Sequence, residues 1–527
     1  MNPRLIAHRW FDEKVLSVNT STDLNDPRNA LTFPQMVRGA AATYGERVAL
    51  QLEVDGLRGE QITFAELDRR SAELARGLLA RGAGKGTRIG FIAGNGPLFA
   101  VLFAAIARIG AVAVPVSTLI KSNELVRVLR QSDVSGLIMQ RSLLGHDYVE
   151  RLVDALPSLS TMQDPELRLE EAPFLRWVVC ASGDLPPAIR DIGFLTEAGR
   201  SVDEALLSAV EANVHPTDQM MEIYTSGSMA LPKGVKHNHG PTLYRTHYIA
   251  DMSKIMTGAA LPAALPMFWI GGMIMSLLPN WERGATTVCA ERTFINSRKA
   301  LGSVLAADDL RQLKPGEFVW SLGMTETLGP YAYSEVMRVP GYPLTSPLDT
   351  IAERYEVRLW VDGREAGEGE RGEIQVRGYA LTPGLHKMER EEYFEPDGFF
   401  RTGDMGVREG ARIHFVGRSG DMIKTASANV SPGEVEMEMQ QLDGVHSAYV
   451  VGLPDPERGQ IVVAAVVPRE GCELNFGDIE AKLRQRLSGF KVPRAFVTIS
   501  REEVPMLPSN KVARRVLEQL LTEKLSR

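Results

Sequence analysis

The sequence predicts an α/β protein with a large N-terminal domain of parallel α/β layers and a β-rich subdomain, followed by a small α+β C-terminal domain. Three observations carry this expectation. The chain has 527 residues, more than one hydrophobic core usually serves. Residues 61–116 alternate apolar strands with helical periodicity, the texture of parallel β-α-β layers. Beyond residue 355 the texture changes twice, first to short alternating strands and then to a compact tail.

In chain order, Thr63-Phe-Ala-Glu-Leu67 opens a helix with leucine and alanine at helical spacing, and Gly82 and Gly84 close it. IGFIAG (89–94) is a short apolar run bounded by glycines, hence a buried strand. A helix over 97–109 and a second apolar run, AVAVPV (111–116), follow. LRWVVCA (175–181) and ATTVCA (285–290) read as further buried strands. Between about 355 and 418, YEVRLWVDG, GEIQVRG, GFFRTGD and ARIHFVGR form short strands joined by glycine-rich turns. The apolar strands HSAYVVGL and IVVAAVVP, a charged helix over 477–487 and the terminal KVARRVLEQLLTEKL make up a tail of about a hundred residues, a plausible separate domain. The expected boundaries are 1–419 and 420–527.

Composition excludes several classes. Hydrophobic residues make up 44% and charged residues 24%, which argues against disorder. A net charge of −7 leaves no nucleic-acid footprint. The stretch 97–116 is apolar but carries Arg108, Gly110 and Pro115, so it reads as a buried helix and strand and not as a membrane span. Three scattered cysteines, Cys180, Cys289 and Cys472, and a start without an apolar leader suit a cytoplasmic protein.

Chemistry concentrates in five motifs. YTSGSMALPKGV (224–235) offers hydroxyls and backbone amides in a glycine-containing turn, with Lys233 nearby, a nest suited to phosphate. It is not the nucleoside-triphosphatase loop, because GxxxxGK[ST] is absent. SLGMTET (321–327) supplies one carboxylate, Glu326, suited to Mg²⁺ beside phosphate oxygens. FRTGDMG (400–406) supplies Asp404, an acceptor for a ribose diol; GRSGDMIK (417–424) supplies Arg418; LPSNKVARR (507–515) supplies Lys511.

With these motifs in this order, from about residue 30 to the end, the chain resembles the adenylate-forming superfamily of acyl-CoA synthetases, adenylation domains and beetle luciferase. The resemblance implies that a carboxylate attacks the α-phosphate of ATP, giving acyl-AMP. A small mobile C-terminal domain then swings, and a thiol, usually CoA, displaces AMP. Carried onto this sequence, it implies nucleotide contacts at Thr225, Ser226, Gly227, Ser228, Met229, Ala230, Lys233, Gly234, Leu322, Gly323, Met324, Thr325, Asp404 and Arg418. It implies Mg²⁺ at Glu326, and at Lys511 a lysine that stabilises charge building on the α-phosphate. The acid pocket falls on Phe268, Trp269, Gly271 and Gly323, the CoA tunnel on Ser427 and Ala428, and the hinge on Gly420, where glycine absorbs a large rotation. Catalytic roles fall on Lys511, Thr225, Lys233, Glu326 and Trp269.

The sequence departs from the family where pyrophosphate, adenine and the carboxylate should sit. The usual Thr-Gly after Ser228 is Met229-Ala230, which removes a hydroxyl and a flexible residue. One lost charge-assisted hydrogen bond is worth roughly 1.5–3 kcal/mol. Leu322 stands where a tyrosine usually stacks on adenine, and Trp269 where a histidine usually stands. Ser427 narrows the tunnel at a family glycine, and Asn510 replaces the glycine before Lys511. The stretch from 290 to 320 is short for the family.

The groups for AMP are kept and those for pyrophosphate are blunted. The expectation is an acyl-CoA ligase that thioesterifies a supplied acyl-adenylate better than it makes one, fed by a companion adenylating ligase. The kind of change resembles the non-adenylating acyl-CoA ligases of platensimycin/platencin-type diterpenoid biosynthesis. A fully competent two-step synthetase, a non-catalytic acyl-adenylate-binding relic and transfer to a carrier protein remain as alternatives. PMFWIGGMIMSLLPNW (266–281) at the acid pocket favours a bulky hydrophobic acid.

Overall fold

The structure is a computed structural model that describes residues 26–54, 57–225, 232–263, 265–290, 320–334, 346–410, 412–418, 423–425, 428–430, 432–505, 512 and 514–526. The segment after residue 61 folds as its periodicity predicts. The Thr63 hydroxyl accepts from the Glu66 amide at 3.1 Å, and the Glu66 carboxylate accepts from the Thr63 amide at 2.9 Å. This reciprocal box satisfies two amides at the start of the helix Phe64–Ala80. IGFIAG becomes the strand Arg88–Ile92, the next helix is Pro97–Arg108, and AVAVPV becomes the strand Val112–Pro115. Arg108 is fully buried. It is tolerated because its guanidinium donates to Glu211 (2.5 Å), the Asp68 carboxylate (2.8 Å) and the Ser71 hydroxyl (2.7 Å).

These strands belong to a seven-stranded sheet. Its order is Lys233–Asn238, Gln219–Thr225, Val112–Pro115, Arg88–Ile92, Gly136–Met139, Trp177–Cys180, Ile189–Asp191. Every pairing is parallel except the first. Successive residues such as Leu137 and Ile138 enter different apolar clusters, so both faces are covered. ATTVCA lies elsewhere than that sheet: Thr286–Ala290 joins a four-stranded sheet beside Val48–Val54, and only Thr287 and Cys289 of it are buried.

The β-rich stretch forms a six-stranded antiparallel sheet, in which Phe400–Glu409 lies between Arg371–Gly378 and Arg412–Arg418. The tail builds a five-stranded sheet around Val445–Asp455 and Gly459–Pro468. Its faces carry separate cores. Val450 and Ala464 pack with Val435, Met439 and Leu483 of the helices Pro432–Gln440 and Phe476–Arg486. Val451 and Ala465 pack with Leu517 and Leu521 of the helix Arg514–Leu525. Among the described residues no helix is long and apolar enough to cross a membrane.

Candidate functional site

Parallel sheets bind ligands beyond the carboxyl ends of their strands, and a cavity of about 440 Å³ opens there. Val116 and Ser117 line it just past Val112–Pro115, and Ile223, Tyr224 and Thr225 line it at the end of Gln219–Thr225. The strand Lys233–Asn238 returns antiparallel, pairing Thr225 with Lys233 and Tyr224 with Gly234. The two ends of the sequence-predicted phosphate motif, Thr225 and Lys233, are therefore held side by side in a β-hairpin. Gly234 is required by close approach: a Cβ there would lie 2.6 Å from the Glu222 carboxylate and 2.8 Å from the Tyr224 hydroxyl. That hydroxyl donates to buried Glu222 at 2.6 Å. Burial and the Glu222 charge push its pKa upward, so Tyr224 stays a neutral donor.

The second motif forms the strand Trp320–Met324 and a 3-10 turn, Thr325–Thr327. The Met324 amide donates to the Thr327 hydroxyl at 3.1 Å, and that hydroxyl donates to the Gly329 carbonyl at 2.7 Å. This clamp aims Met324 and Thr325 into the cavity, where Gly323 also lines the wall. A Cβ on Gly323 would meet the Gly329 carbonyl at 2.4 Å, so the turn needs glycine. Leu322 is buried in the main core, while its neighbours Ser321 and Gly323 face the cavity. Glu326 is nearly buried beside them. Its single carboxylate matches the donor chemistry of a Mg²⁺ carried on nucleotide phosphates, which needs few protein ligands; no three-residue metal cluster occurs among the described residues.

Lys233 holds its ammonium 4.6 Å from the centre of the Tyr393 ring. Asp404 is buried and faces Arg418 across the antiparallel pair Phe400–Glu409 and Arg412–Arg418. Two sequence-predicted ribose residues thus share one register position. The Asp404 amide donates to the Thr402 hydroxyl at 3.0 Å, and the Gly403 amide donates to Glu373 at 2.9 Å.

The apolar wall is Leu265, Phe268, Trp269, Gly271, Met275 and Pro330. Phe268 and Trp269 meet edge to face, 5.7 Å between centroids. A Cβ on Gly271 would come within 2.7 Å of Leu265. In the same stretch Met273 is wholly buried, whereas Met275 is exposed and lines the cavity.

The opposite wall comes from the tail: Ala428, Glu434, Ser488, Phe490 and Lys491. Ala428 was predicted for the CoA tunnel. The other four escaped sequence reasoning; the only signal was a lone lysine between apolar residues in GFKVP. Ser226, Gly227, Ser228, Met229, Ala230, Gly420, Ser427, Lys511 and the Arg418 side chain lie outside the described residues, as does most of the short 290–320 stretch.

The profile of the AMP-binding enzyme family matches residues 37–301, and that of the AMP-binding enzyme C-terminal domain matches residues 434–511. The feruloyl-CoA synthase of Amycolatopsis sp is 27% identical over 83% of this chain and 90% of its own. The mitochondrial medium-chain acyl-CoA ligase of Mus musculus is 24% identical over 94% of this chain and 88% of its own. Among solved structures, the o-succinylbenzoate CoA synthetase of Bacillus subtilis superposes with a TM-score of 0.68 at 21% identity, covering 92% of this chain and 98% of its own. The amide bond synthetase of Marinactinospora thermotolerans does so with a TM-score of 0.69 at 20% identity, covering 93% and 99%.

Proposed function

The chain belongs to the AMP-binding enzyme family as an enzyme of the acyl-CoA ligase type, and on that premise we propose that it acts mainly on a supplied acyl-adenylate, which it converts with CoA to an acyl-CoA thioester. One observation carries the reading. The cavity at the strand ends has Thr225 and Thr325 on one side and Ala428 of the tail on the other, so the tail already walls the space an acyl-adenylate would fill. By the family resemblance, adenylation brings Lys511 to the α-phosphate, and the thioester-forming step follows a swing of residues 420–527.

In the proposed step the CoA sulfur bonds to the acyl carbonyl carbon, the bond from that carbon to the AMP phosphate oxygen breaks, and the thiol proton leaves to solvent. Thr325 and the amides of the hairpin would hold the phosphate, and Asp404 with Arg418 the ribose. Phe268 and Trp269 would seat a bulky hydrophobic acyl group. When Mg²⁺ accompanies ATP, Glu326 would be its protein ligand. Met229 and Ala230 would weaken the grip on pyrophosphate, so a companion adenylating ligase supplies the substrate. Three unpaired cysteines suit a cytoplasmic setting.

The experiment pairs two assays. Synthetic acyl-AMP with CoA should give thioester, and free acid with ATP should give little pyrophosphate exchange. Brisk exchange would make this a two-step synthetase. Absence of thioester from acyl-AMP would leave a binding relic.

A further inference from the structure

The wall that the tail contributes is not apolar. The Lys491 ammonium lies 2.6 Å from Glu124 and 2.9 Å from Glu434. Glu124 sits in the first turn of the helix Ser122–Ser132, in the large N-terminal portion; Glu434 and Lys491 come from the tail. All three line the cavity and are nearly buried. The Ser488 hydroxyl lies 2.9 Å from Glu124 and 3.0 Å from the Leu119 carbonyl, and its one proton serves either acceptor. At the rim, Arg127 of the same helix pairs with Glu438, which also meets Arg486 at 3.6 Å.

Burial opposes the charge on Lys491, and the attraction of Glu124 and Glu434 outweighs it. Burial likewise pushes the Glu434 carboxyl up, against the pull of Lys491. The three charges are therefore worth holding only together. Once the tail lifts off, Lys491 keeps Glu434, which travels with it, and loses Glu124, which stays behind and is hydrated. With the tail seated, removing Lys491 takes the bridging positive charge from between two buried carboxylates across the joint, among the costliest of single changes. A contact that exists in one arrangement and not in the other sets their ratio.

We propose that Lys491 is a positioning residue that latches the tail over the cavity by bridging Glu124 and Glu434, so that the thioester-forming step depends on it although it touches no reacting atom. The proposal rests on the functional reading above for its kinetic consequence, but not for the latch itself.

Two readouts test it on the full chain. With acyl-AMP saturating, Lys491→Met should lower kcat/KM for CoA by about tenfold or more, while the affinity for a non-reactive acyl-sulfamoyl adenosine, whose cavity Lys491 also lines, falls by a much smaller factor. Adding Glu124→Gln and Glu434→Gln to Lys491→Met should restore part of the loss, since no stranded carboxylate remains. A merely structural lysine would lower both quantities together and gain nothing from the added changes. The second readout is the distance between spin labels on Cys472 and on Glu150→Cys. Cys472 is exposed while the other two cysteines are buried, and Glu150 is exposed on the helix Tyr148–Ala155. One narrow distance in the parent should become broad in Lys491→Met. Unchanged distances in that variant would overturn the latch. If the parent makes no thioester, the functional reading falls and the distance distributions alone decide the latch.

Discussion

The Lys233 ammonium stands over the Tyr393 ring, 4.6 Å from its centroid. The ring belongs to the β-rich portion and the lysine to the hairpin of the seven-stranded sheet, so the contact aims a long, flexible cation. A cation–π contact of this kind is worth about 0.5–1 kcal/mol. Tyr393→Leu should weaken ATP binding about threefold by calorimetry, and Tyr393→Phe, which keeps the ring, should not. Equal losses in both variants would assign the effect to the hydroxyl.

Met229→Thr with Ala230→Gly restores a hydroxyl and backbone freedom to the hairpin tip. Pyrophosphate exchange driven by free acid should rise by about one to two orders of magnitude, with the acyl-AMP to thioester rate unchanged. No gain in exchange would shift the cause to Trp269 or Leu322.

Trp269 stands half-buried on the apolar wall beside Phe268. Trp269→Ala should move the preference among synthetic acyl-adenylates toward larger acyl groups. The smallest acyl group should lose about 10-fold in kcat/KM through lost contact area. A uniform loss across the series would assign Trp269 to packing alone.

Much of this was legible because it is local. IGFIAG, AVAVPV and the capping box at Thr63 and Glu66 announce their elements within a few residues. ATTVCA was read as a strand correctly, but no run of six residues says which sheet it will join. The motif order placed Thr225, Gly323 and Thr325 around one cavity. The charged joint was not legible. Lys491 meets Glu124 across 367 positions of sequence, and each looks alone like an ordinary surface residue.

Two buried histidines predict the acid limb of stability. Burial lowers the pKa of His237 and of His239 from 6.5 to about 3. Below pH 6.5 the unfolded chain takes up protons that the folded chain refuses. Their stabilising contribution is therefore whole above pH 6.5 and is lost as pH falls toward about 3. Each imidazole accounts for up to about 1.4 kcal/mol per pH unit. Urea midpoints at pH 7.0 and 5.5 should show a smaller drop for His237→Leu than for the parent. Equal drops would place the acid sensitivity elsewhere.

The hairpin that carries the phosphate motif is held by six paired positions, from Gln219 with Asn238 to Thr225 with Lys233. These pairs fix the two ends of the motif from within the sheet. A change of sequence between Thr225 and Lys233, such as Ser228-Met229-Ala230, removes none of them. The same hairpin gives an experimenter a cassette: seven residues between Thr225 and Lys233 to exchange among relatives while the scaffold stays constant.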